Sequence, residues 1–216
     1  MKKSFISALL LGTCLCSSAY AAPFNGVYLG AQAGYENYKA DESFTGAGAL
    51  AGLSVSGNGS LSGAVGGIYG GYGKTFDKLY LGVEANGDLS DSSESKSASG
   101  ITATTKHTYS YGISVRPGFV PVDNLLLYTR LGWIASHFEE NFSGLVTGGT
   151  SVTPSGIDTG LGAEYAISPN LTARLDWTYA SYENVNIAWT LNGAFIGTEK
   201  ISPTSNTFRV GLAYNF

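Results

Sequence analysis

The last nine residues, Phe208-Arg-Val-Gly-Leu-Ala-Tyr-Asn-Phe216, decide the fold of this chain. Successive side chains of a β-strand point to opposite faces. One face of this segment is therefore wholly apolar and carries Phe208, Val210, Leu212, Tyr214 and Phe216. The other face carries Arg209, Gly211, Ala213 and Asn215, which are polar or small. The segment is predicted to be a strand that separates an apolar environment from a polar one.

The same alternation recurs along the chain and predicts eight antiparallel strands, an even number that places both chain ends on one side of a membrane barrel. For the second strand, about Val65 to Phe76, the sequence does not decide which face points inward. Glycines occur on both faces, and Lys74 shares a face with Ile68 and Tyr72. Short turns are predicted at Asp77-Lys78, Pro121 to Asn124 and Ser168-Pro169-Asn170.

Four arginines decide which face meets lipid. An arginine that faces lipid at mid-bilayer costs about 2–4 kcal/mol, so four would cost roughly 8–16 kcal/mol, as much as the whole stability of a typical protein. The polar parity is therefore predicted to face the barrel interior, where opposite charges can pair. The predicted interior charge network consists of Glu84, Arg116, Arg130, Asp158, Glu164, Arg174, Asp176 and Arg209.

Three roles are open to these interior charges: a structural plug, a proton-linked gate or a narrow ion path. An eight-stranded barrel has an interior that side chains just fill, which favours the plug.

Four long connections are expected on the other side, over residues 38–64, 89–107, 137–156 and 180–206. Each contains a dipeptide typical of a tight hairpin turn. These are Asn58-Gly59, Ser99-Gly100, Gly148-Gly149 and Asn192-Gly193. We expect strand pairs that continue beyond the membrane, above all in the first and last connections; the alternative is four flexible loops.

The first residues predict export. Met1-Lys-Lys, a short apolar run and Ala19-Tyr20-Ala21 have the order of a secretory signal peptide, which we assign to residues 1–21, leaving residues 22–216 as one barrel domain. The run is too short to span a membrane as a helix, which takes roughly 20 apolar residues. Both cysteines, Cys14 and Cys16, lie in this segment, and Thr13 and Leu15 before them do not suit lipid attachment. No disulfide is expected in the mature chain.

The composition argues against some classes of partner and of fold. Without Lys2 and Lys3, ten of the twelve basic residues remain against sixteen acidic ones, a net charge of −6, which disfavours a nucleic-acid partner. The thirty glycines and fourteen tyrosines fit closely spaced strands better than helices.

At this point the chain resembles the small eight-stranded outer-membrane proteins: the OmpA transmembrane domain, OmpX and Ail, the opacity proteins and the porin-like surface antigens. The resemblance covers the mature chain and rests on Tyr28–Tyr35, Tyr80–Asn86, Gly160–Tyr165, Arg174–Trp177 and Phe208–Phe216. It implies an all-β, eight-stranded antiparallel transmembrane barrel in the bacterial outer membrane, with short periplasmic turns and four long extracellular loops. It also implies that Phe208, Val210, Leu212, Tyr214 and Phe216 are an assembly signal read by the barrel-insertion machinery. No periplasmic domain is expected after the barrel, so the resemblance does not imply the peptidoglycan attachment of full-length OmpA.

Enzymatic activity is not expected. A hydrolase needs a nucleophile near a base that an acid orients. Only His107 and His137 are available as histidine bases, and both are placed on the lipid-facing parity or just beyond the rim, away from interior carboxylates. The two histidines without a cysteine or a tight carboxylate cluster also predict no metal site, and no cofactor is expected.

The extracellular side is the predicted place of function. Leu50 and Leu53 in the first loop and Trp189, Phe195 and Ile196 in the last form a candidate contact surface. The alternative is that these side chains pack on one another or on lipopolysaccharide. The sequence predicts a monomeric structural protein or surface antigen, with an adhesin or host-interaction role through its loops and with lipid and lipopolysaccharide as neighbours. A small passive channel is the second hypothesis and a soluble lipocalin the third.

Overall fold

The computed structural model of the chain describes residues 23–98, 101–144, 148–191 and 194–216. The predicted signal peptide and the dipeptides Ser99-Gly100 and Asn192-Gly193 lie outside these residues. The elements are β1 (Gly26–Gly46), β2 (Ser54–Phe76), β3 (Leu79–Ser90), β4 (Ser93–Ala98), β5 (Ile101–Val122), β6 (Leu125–Gly144), β7 (Gly148–Val152), β8 (Ser155–Ser168), β9 (Leu171–Tyr182), β10 (Val185–Leu191) and β11 (Ala194–Asn215). A 3₁₀ turn, Gly48–Leu50, separates β1 from β2. Within the described ranges, no helix combines the length and the apolar character needed to cross a bilayer.

Eight of the strands form a closed ring. Antiparallel pairing runs β1-β2-β3-β5-β6-β8-β9-β11 and returns to β1. The closing pair is continuous from Tyr28 opposite Asn215 to Gly46 opposite Gly197. The predicted eight-stranded antiparallel barrel is confirmed. Its short turns follow Phe76, Val122 and Ser168, all at the end where β1 begins and β11 ends.

The faces of the barrel are inverted relative to a water-soluble protein. The apolar parity of β11 points outward, and Phe208, Val210 and Leu212 are each more than half exposed. Arg209, between the first two, is buried. The sequence left open which side chains of β2 face the interior. In the structure, Val65 and Tyr69 point inward and Ile68 points outward.

At the end opposite the short turns, the sheet extends as strand pairs. The outer halves of β1 and β2 pair as far as Thr45 and Ser54, while β4 pairs with β5, β7 with β6 and β10 with β11. The expected continuation of strands in the first and last connections is confirmed, and the other two connections also contain it.

Two of the predicted turn positions are wrong. Asn58 and Gly59 lie inside β2, opposite Asp41 and Ala40. The chain reverses instead between Gly46 and Ser54, where Gly48 (φ 57°) and Gly52 (φ 91°) adopt the left-handed conformation that a reversal needs. Gly148 and Gly149 likewise begin β7, opposite Phe142 and Asn141, so the reversal precedes them.

Side chains fill the interior in layers. An aromatic cluster near the short turns contains Tyr80, Leu126 and Tyr128, and a second one near the extended strands contains Tyr38, Leu61, Ile134 and Tyr182. Glycines on the inward parity make room for the tyrosine rings: a Cβ atom at Gly162 would collide with the ring of Tyr128. This packing explains why the chain is rich in both residue types. The charged residues lie between the two clusters.

Candidate functional site

The interior charge network is centred on Glu84. This carboxylate lies on β3 with a fully buried side chain, and it accepts bonds from three arginines. Its Oε2 lies 3.0 Å from Arg116 Nη1 and 2.6 Å from Arg174 Nη1, and its Oε1 lies 3.0 Å from Arg130 Nη1. The Tyr28 hydroxyl also donates to Oε2 over 3.0 Å. This one carboxylate thus connects β3 with β5, β6 and β9.

Each of these arginines has a second carboxylate of its own. The pairs are Arg116 with Glu164 at 2.7 Å, Arg130 with Asp158 at 2.9 Å and Arg174 with Asp176 at 2.8 Å. The guanidinium groups also lie over aromatic rings, with Arg116 Cζ 3.8 Å from the centroid of Tyr128 and Arg174 Cζ 3.2 Å from that of Tyr69. A buried guanidinium is stabilised by both kinds of contact.

Arg209 joins the network through residues that we did not predict as members. Its Nη2 lies 3.3 Å from Asp88 Oδ2. The amide of Gln32 donates to Asp88 Oδ1 over 2.6 Å and accepts from Arg174 Nη2 over 2.6 Å, so it bridges the two parts. Asn86 accepts from Arg130 Nη2. All three missed residues lie on the polar parity of β1 or β3, which was the available signal. The structure brings all eight predicted residues into this one connected layer.

The expected position of His107 is wrong. His107 is buried inside the barrel, with Nδ1 2.6 Å from Oε1 of Glu36. The reason is a β-bulge, since His107 pairs with Phe138 and Tyr109 with His137, which leaves Thr108 as an extra residue. An extra residue reverses the alternation beyond it. His107 therefore faces inward although it shares the parity of the outward Tyr109.

A layer of hydroxyl groups surrounds this histidine. Glu36 Oε1 also accepts from Ser90 Oγ over 2.5 Å and from Ser92 Oγ over 2.8 Å. The Tyr38 hydroxyl lies 3.5 Å from His107 Nε2 and 3.2 Å from Ser136 Oγ, with Tyr182 at 3.4 Å. The layer closes the barrel interior beneath the extended strands.

His137 matches its expected position near the rim. It is partly exposed, stacks on the Tyr109 ring at 4.7 Å and has Nδ1 2.8 Å from Thr153 Oγ1. Within the part of the chain that the structure describes, no group of three or more His, Cys, Asp or Glu side chains is placed to hold a metal ion.

The predicted loop contact residues come from two hairpin ends that meet. The amide of Ala47 donates to the Ile196 carbonyl over 2.8 Å, which ties the β1–β2 reversal to β11. Leu50 and Leu53 lie on this reversal, and Phe195 lies beside it on β11. The backbone of Trp189 pairs with Gly197. The side chain of Trp189 lies outside the described part of the structure.

The comparisons with known proteins agree with this architecture. The family model "outer membrane protein beta-barrel domain" matches residues 7–216. This chain belongs to the outer-membrane β-barrel protein family. It is a bacterial outer-membrane protein whose apolar belt faces lipid, and the family arrangement places the short turns in the periplasm and the extended strands outside the cell.

Relatives support the same assignment. The chain is 30% identical over 218 residues to the 31 kDa outer-membrane immunogenic protein of Brucella melitensis, covering 93% of this chain and 89% of that protein. Among solved structures, Neisserial surface protein A is 19% identical with a TM-score of 0.50, covering 89% of this chain and 98% of that one. The outer-membrane protease OmpT of Escherichia coli is 11% identical with a TM-score of 0.51, covering 89% and 97%. At these identities the two structures show a shared fold alone.

Proposed function

We propose that this protein is a non-catalytic surface antigen that binds a partner outside the cell through the tip of its extracellular strands. The observation that carries the proposal is an apolar patch at that tip, which we call the tip patch. It consists of Leu50, Leu53, Val55 and Phe195, which are 37%, 46%, 54% and 49% exposed. Exposed apolar patches on soluble surfaces often mark interaction sites. The immunogenic relative in Brucella supports a surface-exposed role.

Open strand edges supply a second means of binding. Among the strand pairings in the described ranges, β4, β7 and β10 each have a partner on one side only. The other edge of each strand presents unpaired backbone groups, to which an extended peptide can add as a further strand. The tip patch would supply apolar contacts beside such a strand.

The buried histidine does not support catalysis. His107 has the carboxylate partner that a general base requires, but its Nε2 lies 3.0 Å from the backbone oxygen of Tyr109. The nearest hydroxyl to that nitrogen is Tyr38, at 3.5 Å, which is itself buried. With both ring nitrogens engaged and the imidazole buried, the cluster is better suited to structural closure than to hydrolysis.

The filled interior also opposes the passive-channel hypothesis. Ions would have to cross the buried layer around Glu84 and then the hydroxyl layer around Glu36. The plug is therefore our interpretation of the interior charges. We also propose that the terminal strand, with its outward Phe208 to Phe216 parity, is the assembly signal for the barrel-insertion machinery.

Adhesion of bacteria tests the proposed function. The protein is produced in the outer membrane of a non-adherent host, and binding to epithelial monolayers and to immobilised serum proteins is counted. The combined change Leu53→Ser and Phe195→Ser should abolish any binding that wild type confers. Val122→Ser is the matched control, because Val122 is equally exposed but lies at the periplasmic end. Equal binding by the tip variant and wild type, or no binding by wild type, would refute the proposal.

A further inference from the structure

A cavity of about 630 Å³ lies between the extracellular strands, outside the hydroxyl layer. We call it the vestibule. All the extensions contribute to its wall, and Tyr38 lies at its inner end. Its volume is within the range of about 300–1,000 Å³ typical of small-molecule sites. The vestibule is distinct from the tip patch: none of the four tip residues lines it.

The wall of the vestibule is largely apolar. Side chains from strands on several sides converge there: Leu61, Phe138, Val152, Val185, Ile187 and Ile201. The inner end is closed, because Tyr38 packs edge-on against Phe138 with ring centroids 5.1 Å apart, and its hydroxyl is engaged by the layer below. A ligand would therefore stop here and not pass into the barrel. Apolar surface of this kind favours a ligand with a hydrophobic body.

The charges in the vestibule are predominantly negative. Glu42, Glu94 and Glu140 line it, and Lys96 is the cation whose side chain reaches it. Lys96 Nζ lies 3.9 Å from Glu94, so these two charges offset each other. Lys39 is also a lining residue, but it alternates with the inward Tyr38 and is exposed on the outer face.

Glu42 and Glu140 are left as the uncompensated charges. In the described part of the chain, no ion pair within 4.0 Å involves either carboxylate. Burial, with the nearby carboxylates of Glu42 and Glu199, raises the pKa of Glu140. A cation between two carboxylates relieves their repulsion. Beside an apolar wall a weakly hydrated cation binds best, because it loses little hydration energy on entering.

We propose that the vestibule binds an amphipathic organic cation, whose apolar body contacts the wall while its positive charge lies between Glu42 and Glu140. The apolar wall and the net negative charge together select such an ion over other ligands. An inorganic cation would gain little from the wall, and a hydrophobic anion would be repelled by the carboxylates. The proposal does not depend on partner binding at the tip patch.

Two ions of matched shape and opposite charge provide the probe. Tetraphenylphosphonium and tetraphenylborate differ in sign while presenting the same four phenyl groups. Each is titrated calorimetrically into the mature protein in uncharged lipid nanodiscs at pH 8, with empty nanodiscs as the baseline for partitioning into lipid. We expect saturable binding of one phosphonium per protein and no saturable binding of the borate. Saturable binding of both ions, or of neither, would overturn the proposal.

Variants locate the site. The combined change Glu42→Gln and Glu140→Gln should weaken phosphonium binding about tenfold, since it removes both uncompensated charges. Glu139→Gln is the control: it removes the same charge one residue away on β6, from a side chain that does not line the vestibule. Lys96→Met should strengthen binding by removing the opposing charge. An equal loss in Glu139→Gln, or no loss in the double variant, contradicts the assignment of the site.

The pH dependence has a definite sign. Binding requires the carboxylate form of Glu140, and a raised pKa means that this form is lost at a higher pH than for an ordinary glutamate. Affinity should therefore be highest above that pKa and fall as the pH is lowered through it. Glu42 and Glu199 lie near Glu140, and Glu94 and Lys96 also line the vestibule; adding a proton to any of the three carboxylates removes negative charge and so acts in the same direction. Affinity for phosphonium that rises on acidification would contradict the mechanism.

Discussion

Replacing Arg116 by methionine should strongly destabilise the barrel. Arg116 pairs with both Glu84 and Glu164, at 3.0 and 2.7 Å. Without it, Glu84 keeps two other arginines, but among the described residues Glu164 keeps only the 2.7 Å bond from the Thr172 hydroxyl. A buried carboxylate that loses its cation costs about 3–5 kcal/mol. Loss of the cation–π contact with Tyr128 is a smaller effect, of about 2 kcal/mol for a buried pair.

Reversible urea unfolding in lipid vesicles measures this free energy. Lys96→Met is the matched control, because it also removes the cation of an ion pair, but one whose side chains are 59% and 35% exposed. It should change stability by at most about 1 kcal/mol. Adding Glu164→Gln to Arg116→Met removes the unpaired charge and should recover about 1–3 kcal/mol. Equal losses in Arg116→Met and Lys96→Met, or a strictly additive double variant, would refute the network as a source of stability.

Three further outcomes are expected. In planar bilayers, the refolded wild-type protein should carry no current above that of a protein-free bilayer; steady ohmic conductance would restore the channel hypothesis. Gly162→Ala should cost about 1–3 kcal/mol in urea unfolding because its Cβ meets the Tyr128 ring, whereas Gly87→Ala, with open space around it, should be neutral or slightly stabilising. Replacing His107 by leucine should lower the urea midpoint, since the change deprives the buried Glu36 of its 2.6 Å partner; an unchanged midpoint would show that the pair adds nothing to stability.

Alternation, together with the cost of placing arginine in lipid, was enough to predict the number of strands and the inward direction of the four arginines. Both follow from the parity of individual strands and need no knowledge of their neighbours. The contact between Gln32 and Asp88 was not predictable in this way, because it depends on how two strands are staggered across the barrel. Alternation predicted that both side chains face inward, but it did not predict that they contact each other.

The errors concern where a strand keeps or leaves its regular geometry, which the local sequence did not show. Asn58-Gly59 is typical of a tight turn, yet in this connection the glycines that adopt positive φ are Gly48 and Gly52. A strand can include Asn-Gly when a neighbouring strand pairs with it, as β1 does here through Asp41 and Ala40. Tertiary pairing thus overrides a local turn preference.

The bulge at Thr108 affects other residues of β5 besides His107. Because it reverses the alternation of β5 beyond it, Ala103 and Thr105 line the vestibule, while Lys106 is exposed and does not. If Thr108 instead took part in regular alternation, Lys106 would point inward and add a positive charge beside Glu42 and Glu140. The irregularity that places His107 in the hydroxyl layer therefore also keeps the vestibule negative. One unpaired residue thus determines both which side chain partners Glu36 and which charges line the cavity outside that layer.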